Sequence, residues 1–599
     1  MCGIVGYIGQ QQAAPILLDG LKKLEYRGYD SAGIAILNKD TITVSKTKGR
    51  LKNLYNMIDG GNKLPGTIGI GHTRWATHGE PSDINSHPHT STSGKIAVVH
   101  NGIIENYMDL KEYLTSKGYC FVSETDTEVI AHLADYYYNG NLLETIARII
   151  NKVEGSYALG LISSDQPDRI IAVRKDSPLV VGLGEGENFI ASDIPAILKY
   201  THNTYLIEDK EIAVLTQDGV TLYNTDIEEI HREIFTVDWD ISAAEKGGYE
   251  HFMFKEIMEE PQSVLNTVGP ILRQGLLTID KIPDCMHIIA CGSAYHVGIV
   301  GKYVIESLTR IPVEVDIASE YRYRNPIITE NTLVVVISQS GETADTIAAL
   351  REAKKTGAKI FGIVNVVGSS IARESDEVLY TLAGPEIAVA TTKAYSTQLA
   401  AVYLLALSLR KALGQLTPNE EKRYGRELLR LPNLISAMIE QKDKIQYYAS
   451  RYYNARSVFF IGRGLDYALS LEGSLKLKEI SYIHSEAYGA GELKHGTISL
   501  IENGTLVIAV ATQEALFEKM MNNIKEVKAR GAVVLAVATE GNTKIEECAD
   551  GVLYIPKTDP FFTPSPAITL LQLFAYYVAS LRGCDIDKPR NLAKSVTVE

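Results

Sequence analysis

Residues 333–343 read Leu333-Val334-Val335-Val336-Ile337-Ser338-Gln339-Ser340-Gly341-Glu342-Thr343, and this run decides the fold of the longer half of the chain. A continuous apolar strand runs straight into a hydroxyl-rich turn, and a helix follows. Such a strand is buried on both faces, as in a parallel α/β sheet. Hydroxyls and a Gly at the start of the following helix suit an anion, because backbone N–H groups and the helix dipole point the same way. The run is not a Walker loop, since the Gly-Lys-Ser/Thr ending is missing, and not a dinucleotide fingerprint. Simple capping of the helix by Ser340 would also explain it. The position at the carboxyl end of a parallel strand favours a ligand.

Working outward, the same pattern of buried run and long helix recurs at His287–Ala290, Lys359–Val364, Val458–Ile461, Leu506–Ala511 and Val533–Ala538. The pattern also repeats in detail. Asn331–Ile337 resembles Gly504–Val510, and Leu350–Ala358 resembles Ile524–Ala532. Cys291-Gly292-Ser293 and Gly462-Arg463-Gly464 each follow a buried strand. The period is too long for a solenoid, so two tandem, doubly wound parallel α/β domains are expected. They are placed at 257–422 and 423–588, joined in the charged helical stretch Pro418–Arg426, with a tail at 589–599.

Residues 1–238 read differently. Short strands at Gly3–Ile8, Gly33–Leu37, Ile68–His72, Ile96–His100, Leu159–Ser163, Ile170–Arg174 and Phe189–Ser192 are interspersed with helices near Ala13–Leu24, Asn106–Lys117, Thr127–Tyr137 and Leu142–Val153. This predicts a layered α+β unit with largely antiparallel sheets. A polar linker is expected at 239–256. The length of 599 residues fits about three to five folding units.

A net charge of −14 argues against a general nucleic-acid or anionic-membrane binder. No apolar run reaches membrane-spanning length, and no signal-peptide core is present. The six Cys are widely spaced, with no CxxC pair, which suits a reducing cytoplasm and speaks against a structural zinc site.

Two groups of residues carry chemistry. At the start, Cys2 becomes the N-terminus if Met1 is removed. A thiol and an α-amine on one residue then supply nucleophile and base together. Asn101-Gly102 offers a side-chain amide and a backbone N–H for an oxyanion, although Asn-Gly is equally a hairpin turn. Arg74 suits a carboxylate. Asp126 suits an ammonium, unless it simply caps the helix that follows. Arg plus Asp is what an α-amino acid requires. Four His, at 72, 78, 87 and 89, lie close together, but their spacing fits no helical metal-ligand pair, and no metal is expected. In the second half, Lys476-Leu477-Lys478-Glu479 lies on a helix whose charges would ordinarily face solvent. His495 offers an imidazole, a side chain suited to proton shuttling.

The motifs Cys2–Gly6, Tyr26–Ser31, His72–Gly79 and Asn101-Gly102 resemble those of class II glutamine amidotransferases. Ser338–Thr343 within two tandem α/β domains resembles sugar isomerase (SIS) domains. The combination, with Lys476–Gly496 and the tail Asn591–Glu599, is similar over essentially the whole chain to the aminotransferases that move ammonia from glutamine onto fructose-6-phosphate.

The resemblance implies an Ntn-hydrolase-type glutaminase and L-glutamine and fructose-6-phosphate as substrates. It implies glucosamine-6-phosphate and glutamate as products, a place at the start of amino-sugar biosynthesis, and no cofactor. It makes Cys2 the nucleophile and Asn101 and Gly102 the oxyanion hole. Arg74, Trp75, Thr77, His78 and Asp126 become the glutamine site, with Trp75 as a gate for ammonia. Ser338, Gln339, Ser340 and Thr343 bind the phosphate, with Ser293 close by. His495 opens the sugar ring from the neighbouring subunit of a homodimer. Lys594 forms the Schiff base, and Glu479 moves the proton between C1 and C2 beside Lys476. Ser293-Ala294, where Thr-Ser is frequent, and Thr497 after His495-Gly496 depart from the pattern. Other amidotransferases of the phosphoribosyl type would need a pyrophosphate signature. An SIS-based sugar-phosphate sensor would lack Glu479, His495 and Lys594.

Overall fold

The computed structural model describes residues 2–237 and 245–597. Met1, Asp238, the first part of the expected linker (239–244) and the last two positions of the tail lie outside the described residues. The chain divides into two units, Met1–Ala244 with Ala593–Glu599, and Glu245–Leu592.

The first unit is built from two antiparallel sheets of eight and seven strands. Its central strands, such as Gly3–Ile8 and Ile68–Arg74, have both faces buried, and alternate side chains enter different cores. In Ile96–Ile104, Ala97 and Val99 point into the space between the sheets, while Ile96 and Val98 point the other way. That outer face is covered by helices Glu128–Tyr137 and Leu142–Ile150. The other sheet carries helix Ala13–Leu24 against Gly3–Ile8 and Ile68–Arg74. The result is the layered α+β arrangement expected.

Several strands are longer than their sequence pattern, and Ile96–Ile104 is the instructive case. The strand does not turn at Asn101-Gly102 but continues, pairing Asn101 with Ala158 and Gly102 with Tyr157. Gly102 makes this possible. Its φ is +119°, and a Cβ there would lie 2.1 Å from the Ser156 carbonyl oxygen. Strands Thr41–Lys48, Ile212–Leu215 and Val220–Tyr223 have no counterpart in the sequence reading.

The second unit contains two five-stranded parallel sheets with the same strand order. In the first, Cys285–Ala290 lies between Val313–Ile317 and Thr332–Ser338. In the second, Ser457–Gly462 lies between His484–Gly489 and Leu506–Ala511. The short strands Val313–Ile317, Glu377–Tyr380, His484–Gly489 and Gly551–Ile555 complete the sheets. Each sheet has a private core on one face. The other faces share one core. Ile288, Val335, Phe460 and Ile508 all belong to it, with helices Phe252–Gln274, Lys393–Ala412 and Pro564–Leu581. Helix Phe252–Gln274 begins within the stretch read as linker. The boundary read at 422/423 falls inside one helix, Pro418–Glu440, which starts with a Thr417/Glu420 capping box and Pro at its first turn.

Candidate functional site

In the first unit, Cys2 precedes strand Gly3–Ile8, which lies between Ile68–Arg74 and Asn188–Ala191. Its thiol donates to the Trp75 carbonyl at 3.4 Å and accepts from the Trp75 N–H at 3.2 Å. Burial pushes the thiol pKa up, against the opposing pull of the Trp75 N–H and Arg74. Asn101 reaches the same place from the other sheet. Its Nδ2 donates to the Cys2 carbonyl at 3.1 Å and to Ser192 Oγ at 2.8 Å. Ser192 also accepts from the Ile4 N–H at 2.8 Å. His72 Nε2 stands 3.1 Å from Asn101 Oδ1 and 2.9 Å from the His100 carbonyl.

Arg74 is buried and donates to the carbonyls of His78 and Gly79, holding the loop that follows. Burial lowers its pKa, while Cys2, Asp126 and Asp30 pull the other way. Asp126 does not cap the helix after it; the residue before Glu128–Tyr137 is Thr127. Its carboxylate accepts from the Ile104 N–H at 2.8 Å, three residues beyond Asn101, with His100 Nδ1 4.0 Å away. Trp75 is half-buried, edge-on to Tyr29 at 5.6 Å. Thr77 is exposed and lies 3.4 Å from His78 Nδ1. His78 packs edge-on against Tyr107. The structure thus gathers Cys2, Asn101, Trp75 and Arg74 at one end of the sheets.

In the second unit, the carboxyl ends of Cys285–Ala290 and Thr332–Ser338 lie side by side, with Ala290 paired to Ile337. The chain leaves one strand toward each side here, which makes this a topological switch point where α/β sheets bind ligands. The first turn of helix Gly292–Thr309 carries Ser293 after the one strand, and the run Ser338–Thr343 leaves the end of the other. Gly341 accepts the tight turn at φ +66°, where a Cβ would meet Ser369 Oγ at 2.0 Å. Its N–H donates to Ser338 Oγ at 3.0 Å. Helix Ala344–Lys355 starts after Thr343 without a side-chain cap, so Ser340 does not cap it. Gln339 accepts from the Asn365 N–H through its backbone carbonyl.

Helix Leu465–Ser481 brings charge to this place. Glu472, Lys476 and Glu479 share one face at i, i+4 and i+7. Lys476 and Glu472 are almost wholly buried, at 1% and 0% side-chain exposure, and so form no solvated face. Lys476 Nζ lies 2.6 Å from Glu479, 3.4 Å from Glu472 and 3.1 Å from Ser293 Oγ. Burial works against its charge, but the two carboxylates outweigh burial and push its pKa up to about 12. Glu472 also accepts from Ser293 Oγ at 2.9 Å and stands 2.8 Å from His296 Nδ1. Burial opposes its ionisation, and Lys476, His296 and Ser293 hold its pKa below the usual value.

Glu472, His296 and Ser192 were not singled out from the sequence. The i, i+4, i+7 spacing could have revealed Glu472. His495 is exposed on the turn Leu493–His495, and Thr497 follows it on another short turn. Lys594 is half-buried in the tail segment that belongs to the first unit.

These features define a glutamine amidotransferase unit followed by paired SIS domains, and family models agree. A glutamine amidotransferase domain matches residues 72–199, and an SIS domain matches 284–408 and again 451–582. The glutamine–fructose-6-phosphate aminotransferase (isomerizing) of Caldanaerobacter subterraneus is 59% identical, with all of both chains covered. That of Clostridium acetobutylicum is 57% identical, again with all of both chains covered. The solved C-terminal domain of glucosamine-fructose-6-phosphate aminotransferase from Francisella tularensis matches 58% of this chain and all of its own, at 39% identity and a TM-score of 0.56. The chain belongs to the glutamine–fructose-6-phosphate aminotransferase (isomerizing) family.

Proposed function

We propose that this chain takes ammonia from the side chain of L-glutamine and transfers it to D-fructose-6-phosphate, giving D-glucosamine-6-phosphate and L-glutamate, the opening step of amino-sugar synthesis. The observation that carries the reading is the union of two clusters in one family member: a thiol beside an Asn101 amide, and a Lys476 ammonium between two carboxylates at a switch point.

In the first unit, a thiol whose pKa is raised by burial needs a base. The α-amine of a mature Cys2 supplies it. The thiolate attacks the amide carbon of glutamine, and the Gly102 N–H and the Asn101 Nδ2–H that leaves the Cys2 carbonyl stabilise the oxyanion. The C–N bond breaks, ammonia leaves, and water releases glutamate from the thioester. Arg74 and Asp126 hold the carboxylate and ammonium of the substrate, with Trp75, Thr77 and His78 around it.

In the second unit, Ser338, Gln339, Ser340 and Thr343 bind the phosphate. Lys476 stays charged and so is no base; it sets the field in which Glu479 carries the proton from C1 to C2. Lys594 condenses with the C2 ketone to an imine, losing water, and ammonia then displaces the lysine amine to leave the C2 imine that is isomerised. His495, exposed on its own subunit, opens the ring in the partner of a homodimer. The six unpaired thiols suit a reducing, cytoplasmic setting. Among the described residues, no helix is long and apolar enough to cross a membrane.

The test combines the mass of the intact N-terminus with product identification. Met1 should be absent, and glutamine with fructose-6-phosphate should yield glucosamine-6-phosphate. Cys2→Ala should abolish glutamine-dependent synthesis. A retained Met1 in active protein, or glutamate release that survives Cys2→Ala, would overturn the reading.

A further inference from the structure

We propose that His72 is a positioning residue that fixes the amide of Asn101 with its Nδ2 toward Cys2. The proposal rests on the glutaminase reading of that site and adds a residue to it. His72 lies in the strand next to Gly3–Ile8, directly opposite Ile4. Its Nε2 faces two oxygens, the His100 carbonyl at 2.9 Å and Asn101 Oδ1 at 3.1 Å. The carbonyl can only accept, so Nε2 carries the proton and acts as donor. Nδ1 is then the bare nitrogen. It is buried without a hydrogen-bond partner, and the ring stacks on His87 with centroids 4.1 Å apart.

With Oδ1 engaged in this way, the amide has one acceptable orientation. Nδ2 meets two acceptors, the Cys2 carbonyl and Ser192 Oγ. Turning the amide over would set its N–H groups against the His72 N–H and its oxygen against the Cys2 carbonyl. Both contacts would be repulsive in a dry site, where an unmatched polar group is costly. Burial also pushes the His72 pKa down to about 3, so the imidazole is neutral and its tautomer does not change across the working range. An oxyanion donor is effective when it is aimed before the reaction begins. His72 does the aiming without touching glutamine.

A residue that aims the donor affects the transition state more than substrate binding. Three variants are compared by glutamine hydrolysis and by the rate at which iodoacetamide alkylates Cys2. Alkylation reads thiol reactivity and needs no oxyanion donor. His72→Phe keeps a ring for stacking on His87 and removes the donor. It should lower kcat at least about ten-fold, since loss of a whole oxyanion donor costs ~10²–10³. KM and the alkylation rate should stay within about two-fold of wild type. His72→Gln, whose amide can donate, should recover most of kcat. Asn101→Ala should gain nothing further from His72→Phe in the double variant. An unchanged kcat in His72→Phe, an equal fall in alkylation, or a His72→Gln as poor as His72→Phe would overturn the proposal. If His72→Phe does not fold, His72→Gln decides: kcat within about three-fold of wild type supports it, and a ten-fold loss overturns it. Failure of the glutaminase reading would show separately, as absent or Cys2-independent glutamate release in the unmodified protein.

Discussion

The two α/β repeats have the same strand order, yet their switch points are filled in different ways. In the first, Ser338–Thr343 presents hydroxyls and backbone N–H groups beside Ser293, and the first turn of helix Gly292–Thr309 holds no acidic residue. In the second, the corresponding helix carries Asp466 in its first turn. That buried carboxylate accepts from the Thr512 N–H at 2.8 Å, the Gln513 N–H at 3.2 Å and the Thr512 hydroxyl. Thr512 and Gln513 follow strand Leu506–Ala511, as Gln339 and Ser340 follow Thr332–Ser338. The second repeat therefore fills this turn with its own carboxylate, whereas under the proposed function the equivalent turn of the first takes a phosphate from solution. The helix of the second repeat turns Glu472, Lys476 and Glu479 toward Ser293 of the first.

The strongest test of this division of labour is Glu479→Gln. It should cut glucosamine-6-phosphate formation by about 10³-fold, within the usual range for a lost general acid–base group, and leave glutaminase activity standing. Equal loss of both activities would break the division. Next in size is the pH dependence of stability. Burial raises the Asp466 pKa from 3.8 to about 6 despite its donors. The folded state thus holds this proton more tightly than the unfolded chain. The contribution is fully present below pH ~4 and is lost as pH rises through about 6, by about 3 kcal/mol. Glu260, raised by burial to about 7, adds loss in an overlapping range. Denaturant titrations should show a smaller decline from pH 4 to 7 in Asp466→Asn than in the parent, and identical declines would sink the assignment.

Ser340→Ala against Thr512→Val compares equivalent loops. The first should raise KM for fructose-6-phosphate about ten-fold, as expected for one hydrogen bond to a charged group. The second should leave KM alone and lower the melting temperature. A KM effect from Thr512→Val would give the second repeat a ligand role. The smallest effect expected is a rescue. Asp466→Ala leaves two backbone donors without their acceptor, and inorganic phosphate should raise its melting temperature by a few degrees more than that of the parent. No difference would mean that removing the carboxylate does not reopen the cradle.

The division into a layered unit and two α/β repeats was legible because buried strands carry apolar runs whatever surrounds them. The edge strands were not. Val313–Ile317 buries only Val313 fully and spans only five residues, too little to distinguish it from a loop. Asn101-Gly102 was readable as chemistry but not as structure. Its local preference is a turn, and pairing with Gly155–Ser163 overrides that preference. Lys476 shows the reverse. Its charge suggested solvent, and burial became acceptable only through Glu472 and Glu479 on the same helix and Ser293 more than 170 residues earlier. Ser192 gives no local signal at all, because its role depends on receiving Asn101 and Ile4 from two different strands.

The helices that close the shared core have a consequence for synthesis. Glu260, near the start of the second unit, accepts from Thr569 Oγ1 at 2.9 Å across 309 residues of chain. Helix Pro564–Leu581 completes the layer that covers both sheets. At roughly 5–20 residues per second, that helix emerges roughly 15–60 s after its partner. Through that interval the second repeat lacks the helix that packs on Leu465–Ser481, Lys442–Tyr452 and Pro418–Glu440, and a buried acid waits for its hydroxyl. A nascent chain of this kind presents apolar surface on the ribosome until nearly the last residue is made. Truncation before residue 564 should therefore leave an aggregating fragment, not a shorter, working pair of repeats.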